Sequence, residues 1–148
     1  MRATLIGGIS IAIALLAAAA ISAHEHATGV VKERMDAMEN MAKAMKAITQ
    51  RLRDNREVEL VKADARSIHA LAQTMTSMFP PRSNQHPSEA RESIWQNWSE
   101  FEAKAQTLVV ASGKLANADA RDAKSLAVQA RAVSMACGQC HERFRVKQ

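Results

Sequence analysis

Near the C-terminus, Cys137-Gly138-Gln139-Cys140-His141 reads C-x-x-C-H and holds the only two cysteines of the 148 residues. A chain with this motif has to fold around a bulky planar group, because the spacing is the signature for covalent attachment of a c-type haem. Each thiol adds across one porphyrin vinyl. The following His is carried over the ring, where an imidazole nitrogen can ligate the iron. Competing uses fit less well. A zinc site needs two further Cys or His at metal spacing, and none lies nearby. A thioredoxin-type pair calls for a strand-helix context, whereas this stretch reads as helix. A disulfide across so short a spacing is strained and leaves His141 without a purpose.

The opposite end agrees with this reading. Arg2 supplies a positive start, Ile11 to Ile21 is an uncharged apolar run, and Ser22-Ala23 offers small residues for cleavage. Residues 1–23 read as a secretory signal peptide whose apolar core is too short for a membrane span; an uncleaved anchor is the alternative. Haem is attached to c-type apoproteins outside the cytoplasm, so the leader and the motif predict each other and the expected location is the periplasm. Residues 24–148 then form one domain around one core, soluble rather than membrane-spanning. The 20 Lys and Arg against 15 Asp and Glu give a net charge of +5, of which Arg2 leaves with the leader. These charges are scattered, so nucleic acid is not an indicated partner, although a positive patch could steer an acidic redox protein.

The rest of the chain reads as helix. Gly and Pro sit between periodic segments, Ala is abundant and β-branched runs are short. Four amphipathic segments follow from apolar residues recurring every three or four positions. The first spans about Gly29 to Leu52, with Val31, Met35, Met38, Met41 or Ala42, Met45, Ile48 and Leu52 on its stripe. The second spans about Glu57 to Met78, ended by Phe79-Pro80-Pro81 because Pro lacks a donor and displaces its predecessor from the α region. The third is expected to start at Ser88 as N-cap with Glu89 in its first turn. It turns Ile94, Trp95, Trp98, Phe101, Ala105 and Leu108 inward and frays near Gly113 to Asn117. The fourth starts near Asp119 or Asp122 and carries Leu126, Ala130, Val133, Cys137, Cys140 and Phe144 on one face. Four such helices imply an all-α, antiparallel up-down-up-down four-helix bundle. The core inventory is rich in Met and Ala, so a haem between the helices would fill its middle. His24 and His26 could bind copper with a free amine, but a polar tail accounts for them; His69 reads as a boundary residue and His86 as a loop residue.

Three blocks resemble the class II c-type cytochromes, the group of cytochromes c-prime and c-556. The ending Cys137-Gly-Gln-Cys140-His141-Glu-Arg-Phe144-Arg145 is similar to the family's C-x-x-C-H-x-x-(Tyr or Phe)-Arg. Val31-Lys32-Glu33-Arg34 followed by Met38 is similar to its first-helix pattern, and Ile94-Trp95-x-x-Trp98-x-x-Phe101 to its third-helix pattern. The resemblance implies one covalent haem c with its iron. Cys137 and Cys140 hold it, His141 is the proximal ligand, and Arg145 packs beside the imidazole. Arg34 lies near a haem propionate as a bidentate partner, a solvated helix Arg being the plainer alternative. Met35 is placed with the haem-contacting residues, although by residue type Met35, Met41 and Met45 are gap fillers. Trp95 and Trp98 wall the pocket.

Met38 decides between two functions. In the resembled family its position faces the open side of the iron. A ligating thioether favours the ferrous state and suits a periplasmic electron carrier exchanging single electrons with redox proteins. A non-ligating residue leaves a five-coordinate iron able to bind nitric oxide or carbon monoxide. No paired carboxylates or nucleophile constellation suggest an enzyme. The resemblance implies a possible homodimer through the first two helices, and the basic, Met-lined first helix is compatible with either outcome.

Overall fold

The computed structural model describes residues 26–147, so the leader proposed over 1–23 lies outside the described residues. Helix α1 runs Gly29–Asp54. A left-handed Asn55 (φ 49°) closes it, its N–H donating back to the Arg51 carbonyl. Asn tolerates this backbone region because its short polar side chain bonds locally. Helix α2 runs Val61–Gln73, with single 3-10 turns before it at Val58–Leu60 and after it at Met75–Met78. The second segment of the sequence reading is therefore three pieces. Thr74 marks one break, its hydroxyl donating to the Leu71 carbonyl instead of continuing the helix.

The third segment starts later than expected. Ser88 caps no helix: its hydroxyl accepts from the Ala90 amide and from Arg34. Residues 89–91 are instead drawn out by an isolated antiparallel bridge between Ala90 and Arg145. In that bridge Arg91 N–H donates to Phe144 O, and Val146 N–H to Glu89 O. A four-residue turn, α3 (Ser93–Gln96), precedes the long α4 (Trp98–Asn117).

Helix α4 does not fray at Gly113. The glycine is there for space: a Cβ on it would lie 3.1 Å from Cε1 of His69. The His69 ring rests on this gap, with Nδ1 2.9 Å from the Val109 carbonyl, which joins α2 to α4. Gly113→Ala is expected to destabilise the protein by about 1 kcal/mol, because overpacking outweighs the gain in helix propensity. Chemical denaturation would check this, and a stabilised variant would contradict it.

Helix α5 runs Ala123–Phe144, with Asp122 as N-cap accepting from Ser125 N–H at 2.9 Å. Consecutive long helices pack side by side, and α1 closes the ring against α5 through the lightest of the four seams. The architecture is the expected four-helix bundle. Among the described residues no helix is long and apolar enough to cross a membrane.

The core divides along the bundle axis. At one end Ile48, Val61, Ile68, Leu115, Leu126 and Val133 are fully buried. These are large aliphatics, so the expectation of a core dominated by Met and Ala holds only for the other half. There α1 gives Met38, Met41 and Met45, α4 gives Ala105 and α5 gives Ala136. An aromatic cluster bounds that half. Phe101 meets Phe79 at 4.7 Å and Phe144 at 5.5 Å between ring centroids, both edge-on.

Candidate haem site

The last turns of α5 carry Cys137, Cys140 and His141. Spacings of three and four residues put all three on one helix face, and that face meets the light seam with α1. There they line a cavity of about 150 Å³ together with Met38, Met41 and Met45 of α1, Met75, and Ala105 and Leu108 of α4. Ala42, Ala105 and Ala136 explain why space remains, since a larger side chain at any of them would project into it. The donor set fits a covalently held haem. Two thiols and an imidazole stand on one wall, thioethers on another, and the remaining lining is mostly apolar, as a macrocycle requires.

The electrostatics favour a neutral imidazole and hold both thiols protonated. Burial pushes the Cys137 thiol up and raises Cys140 from 9.0 to about 11, the nearby Lys104 cation opposing the rise. Burial holds His141 below its ordinary value, the Arg145 cation adds to this, and Glu89 opposes it. A lowered histidine is neutral at pH 7, the form that donates a lone pair to a metal.

The residues expected at the site separate into groups. Cys137, Cys140, His141 and Met38 come together on the cavity wall. Met35 is half-buried on α1 but does not line that cavity. Trp95 and Trp98 line a different, open hollow of about 610 Å³ with Phe79, Pro80 and Pro81. Trp95 is locked there by Nε1–H donating to Phe79 O at 3.0 Å. Trp98 also tilts against Phe101 at 5.4 Å. Arg145 lies just past the end of α5, exposed, its Nε 2.6 Å from a Glu89 carboxylate oxygen.

Arg34 departs furthest from expectation. It is not a solvated helix arginine: it is 4% exposed. Its terminal nitrogens meet protein oxygens. One donates to Met78 O at 3.0 Å and Ser83 Oγ at 3.1 Å. The other donates to Ser83 O at 2.7 Å and Ser88 Oγ at 2.6 Å. Its guanidinium carbon also lies 4.5 Å from the centre of the Phe79 ring. Arg34 thus straps the irregular connection between α2 and α3 to the first helix. Arg34→Ala would strand several buried acceptors and open a hole. A loss of about 3 kcal/mol or more is expected, to be measured by denaturant unfolding of the haem-loaded protein; a loss under about 1 kcal/mol would refute the strap.

Sequence reasoning missed Lys104 and Ser134 on the cavity wall. Lys104 could have been found as the neighbour of inward-facing Ala105. Ser83 offered no signal, since its role exists only once the connection is folded against α1.

Comparison with known proteins agrees with this geometry. The family model of cytochrome c' matches residues 29–145. Cytochrome c-556 of Agrobacterium fabrum (strain C58) is 30% identical over 125 residues, covering 82% of this chain and 84% of its own length. Cytochrome c-556 of Agrobacterium tumefaciens (strain II Chrys) is 27% identical over 121 residues, covering 80% and 98%. The solved nitric oxide complex of a mutant cytochrome c prime from Alcaligenes xylosoxidans superposes with a TM-score of 0.73 at 26% identity, covering 80% of this chain and 94% of that one.

Proposed function

The chain belongs to the cytochrome c' family and carries covalent haem c with its iron, Cys137 and Cys140 being the two thiols present for attachment; on that premise we propose that it is a periplasmic carrier of single electrons. His141 and Met38 are the residues that would hold its iron. The observation that carries this reading is that Met38 shares one cavity wall system with Cys137, Cys140 and His141. The haem, when bound, supplies a one-electron ferric/ferrous couple.

The chain's own residues set the conditions for that couple. His141 presents a neutral imidazole. A thioether at Met38 is a soft, uncharged donor that favours the ferrous state. The Met, Ala and Leu wall keeps water away, which limits the charge rearrangement each electron transfer demands. An acidic redox protein is the partner its positive net charge suits, and no enzymatic role is assigned. The two relatives named cytochrome c-556 support the reading by similarity.

One observation favours a second reading: the similar Alcaligenes protein was solved as a nitric oxide complex. In that case Met38 only packs, and the site takes diatomic gases. Optical spectra with and without carbon monoxide decide between the two. A low-spin ferric spectrum with slow, weak carbon monoxide binding supports the carrier. A high-spin spectrum with rapid binding supports the gas-binding protein.

A further inference from the structure

We propose that the seam between α1 and α5, where the cavity opens, is the face that exchanges electrons, and that it docks a carboxylate-rich patch of a one-electron redox protein. This rests on the reading of the chain as an electron carrier and gives that reading a place on the surface.

The first observation is where the cavity opens. Among its lining residues, Ala42 of α1 and Ser134 of α5 are exposed. They stand on the two helices whose seam is the lightest of the four. Met38 and His141, the residues that would hold the iron, line the cavity from the same two helices. The seam is therefore a short way from solvent to the redox site. Electron transfer weakens steeply with distance, so a partner works best where the intervening wall is thin.

The second observation is the charge at that opening. Lys46 lies one turn beyond Ala42 on α1, and Arg131 lies one turn before Ser134 on α5, so each neighbours an exposed lining residue. Both are exposed, and neither is ion-paired among the described residues. Lys104 adds a cation on the cavity wall from α4. Two carboxylates stand near. Glu39 is 2.7 Å from Lys43, and Glu142 is the only acidic residue of α5. Arg34, beside which the resemblance places a haem carboxylate, precedes Lys46 on α1 by more than three turns, about 18 Å of helix. A carboxylate held there stands well away from this rim.

The third observation points to a protein as the occupant. Val128 and Met135 flank Arg131 on α5, one turn to either side, and are 64% and 53% exposed. Arg and Met are enriched in protein interfaces. The cations add long-range attraction for an acidic surface and set its orientation. Electron-transfer complexes bury under about 1,200 Å² in total, an area that one helix seam with its rim can supply.

The test uses the haem-loaded protein in its ferrous state at an ionic strength of about 0.1 M, where charges act over about 10 Å. Hexacyanochromate(III) is a redox-inert, paramagnetic anion. It is expected to broaden the amide resonances near Ala42 and Ser134, a map that needs no variant. Hexacyanoferrate(III) takes one electron from the ferrous iron, leaving ferric iron and hexacyanoferrate(II), with no proton or bond exchanged. Lys46→Glu combined with Arg131→Glu is expected to abolish the broadening and slow this oxidation about tenfold, while oxidation by cationic tris(phenanthroline)cobalt(III) speeds up. Arg56→Glu combined with Lys114→Glu makes the same change in net charge at the other end of the bundle. That pair should stay within about twofold of the parent. Broadening centred away from the seam, or equal slowing by the two pairs, would overturn the proposal. A doubled mass in sedimentation with the seam amides shielded would assign the face to a second copy and overturn it too. So would capture by anionic phospholipid vesicles that the seam pair alone loses, which would assign the face to a membrane. A protein that binds the chromium probe at the seam yet passes no electron to either oxidant would sink the carrier reading and leave the docking face standing.

Discussion

A chain with Cys137→Ser and Cys140→Ser is expected to yield whatever haem it binds to acidic acetone and, once haem-free, to lose the order of one half of its bundle. The colour follows from the chemistry, since these are the chain's two thiols and a hydroxyl does not form the thioether. The loss of order follows from the uneven core. Ile48, Ile68, Leu115 and Leu126 bury large apolar side chains among themselves at one end and need nothing added. At the other end the helices meet across a cavity of about 150 Å³. An unfilled cavity of that size costs about 3–4 kcal/mol, besides the burial of the macrocycle that is forfeited. The thermal transition should fall by about 10 °C or more. Amides near Met38, Ala105 and Ala136 should lose exchange protection while those near Ile48 and Leu126 keep theirs. Circular dichroism and hydrogen exchange measure both. A haem-free chain as cooperative and as stable as the loaded protein would refute the account.

Met38→Ala is expected to change the spectroscopy and ligand chemistry of the protein without removing its haem. Met38 is half-buried and packs on the core from the cavity wall. If its sulfur ligates, its removal abolishes a weak far-red sulfur-to-iron band and turns the ferric iron from low to high spin. The midpoint then falls, because the thioether no longer favours the ferrous state. Carbon monoxide should bind the ferrous variant about a hundredfold faster or more, since no ligand has to leave first. Stability should drop by only about 2 kcal/mol, toward the low end for Met→Ala because the site is not fully buried. A high-spin parent spectrum that Met38→Ala leaves unchanged would exclude ligation and move the assignment to gas binding; the covalent haem and the bundle would stand.

Much of the architecture was legible because an amphipathic helix announces its buried face. The stripe Leu126, Ala130, Val133 is buried as its period demands, and Asp122 caps α5 as its residue type suggests. The site was legible where chemistry is local: C-x-x-C-H fixes three cavity residues within a helix turn and a half. What escaped depends on partners distant in sequence. Gly113 looked like a helix end and is a seat for the His69 ring. Ser88 looked like a cap and is an acceptor for Arg34, 54 residues away. Trp95 and Trp98 share the inward side expected of them, yet which hollow they line depends on the path of Phe79-Pro80-Pro81, and no periodicity encodes that path. The role of Arg34 rests on two backbone carbonyls and two serine hydroxyls, groups that carry no pattern in a sequence.

The clip at Ala90 and Arg145 has a consequence for the order in which the molecule can be completed. The connection it fastens is held at one edge by Arg34 in the first helix and at the other by the residues that follow the last helix. Translation releases the two edges at very different times. Arg34 can close on Ser83 and Ser88 once the chain has passed them, but Glu89 has no Arg145 to meet until the last helix has been made. The thiols arrive on that same helix. Contacts of such long sequence separation close late, because the loop entropy has to be met before they form. Formation of the last helix, closure of the bundle and availability of both attachment thiols thus coincide, so a chain lacking that helix has neither the means to hold a haem nor the latch that would close over it.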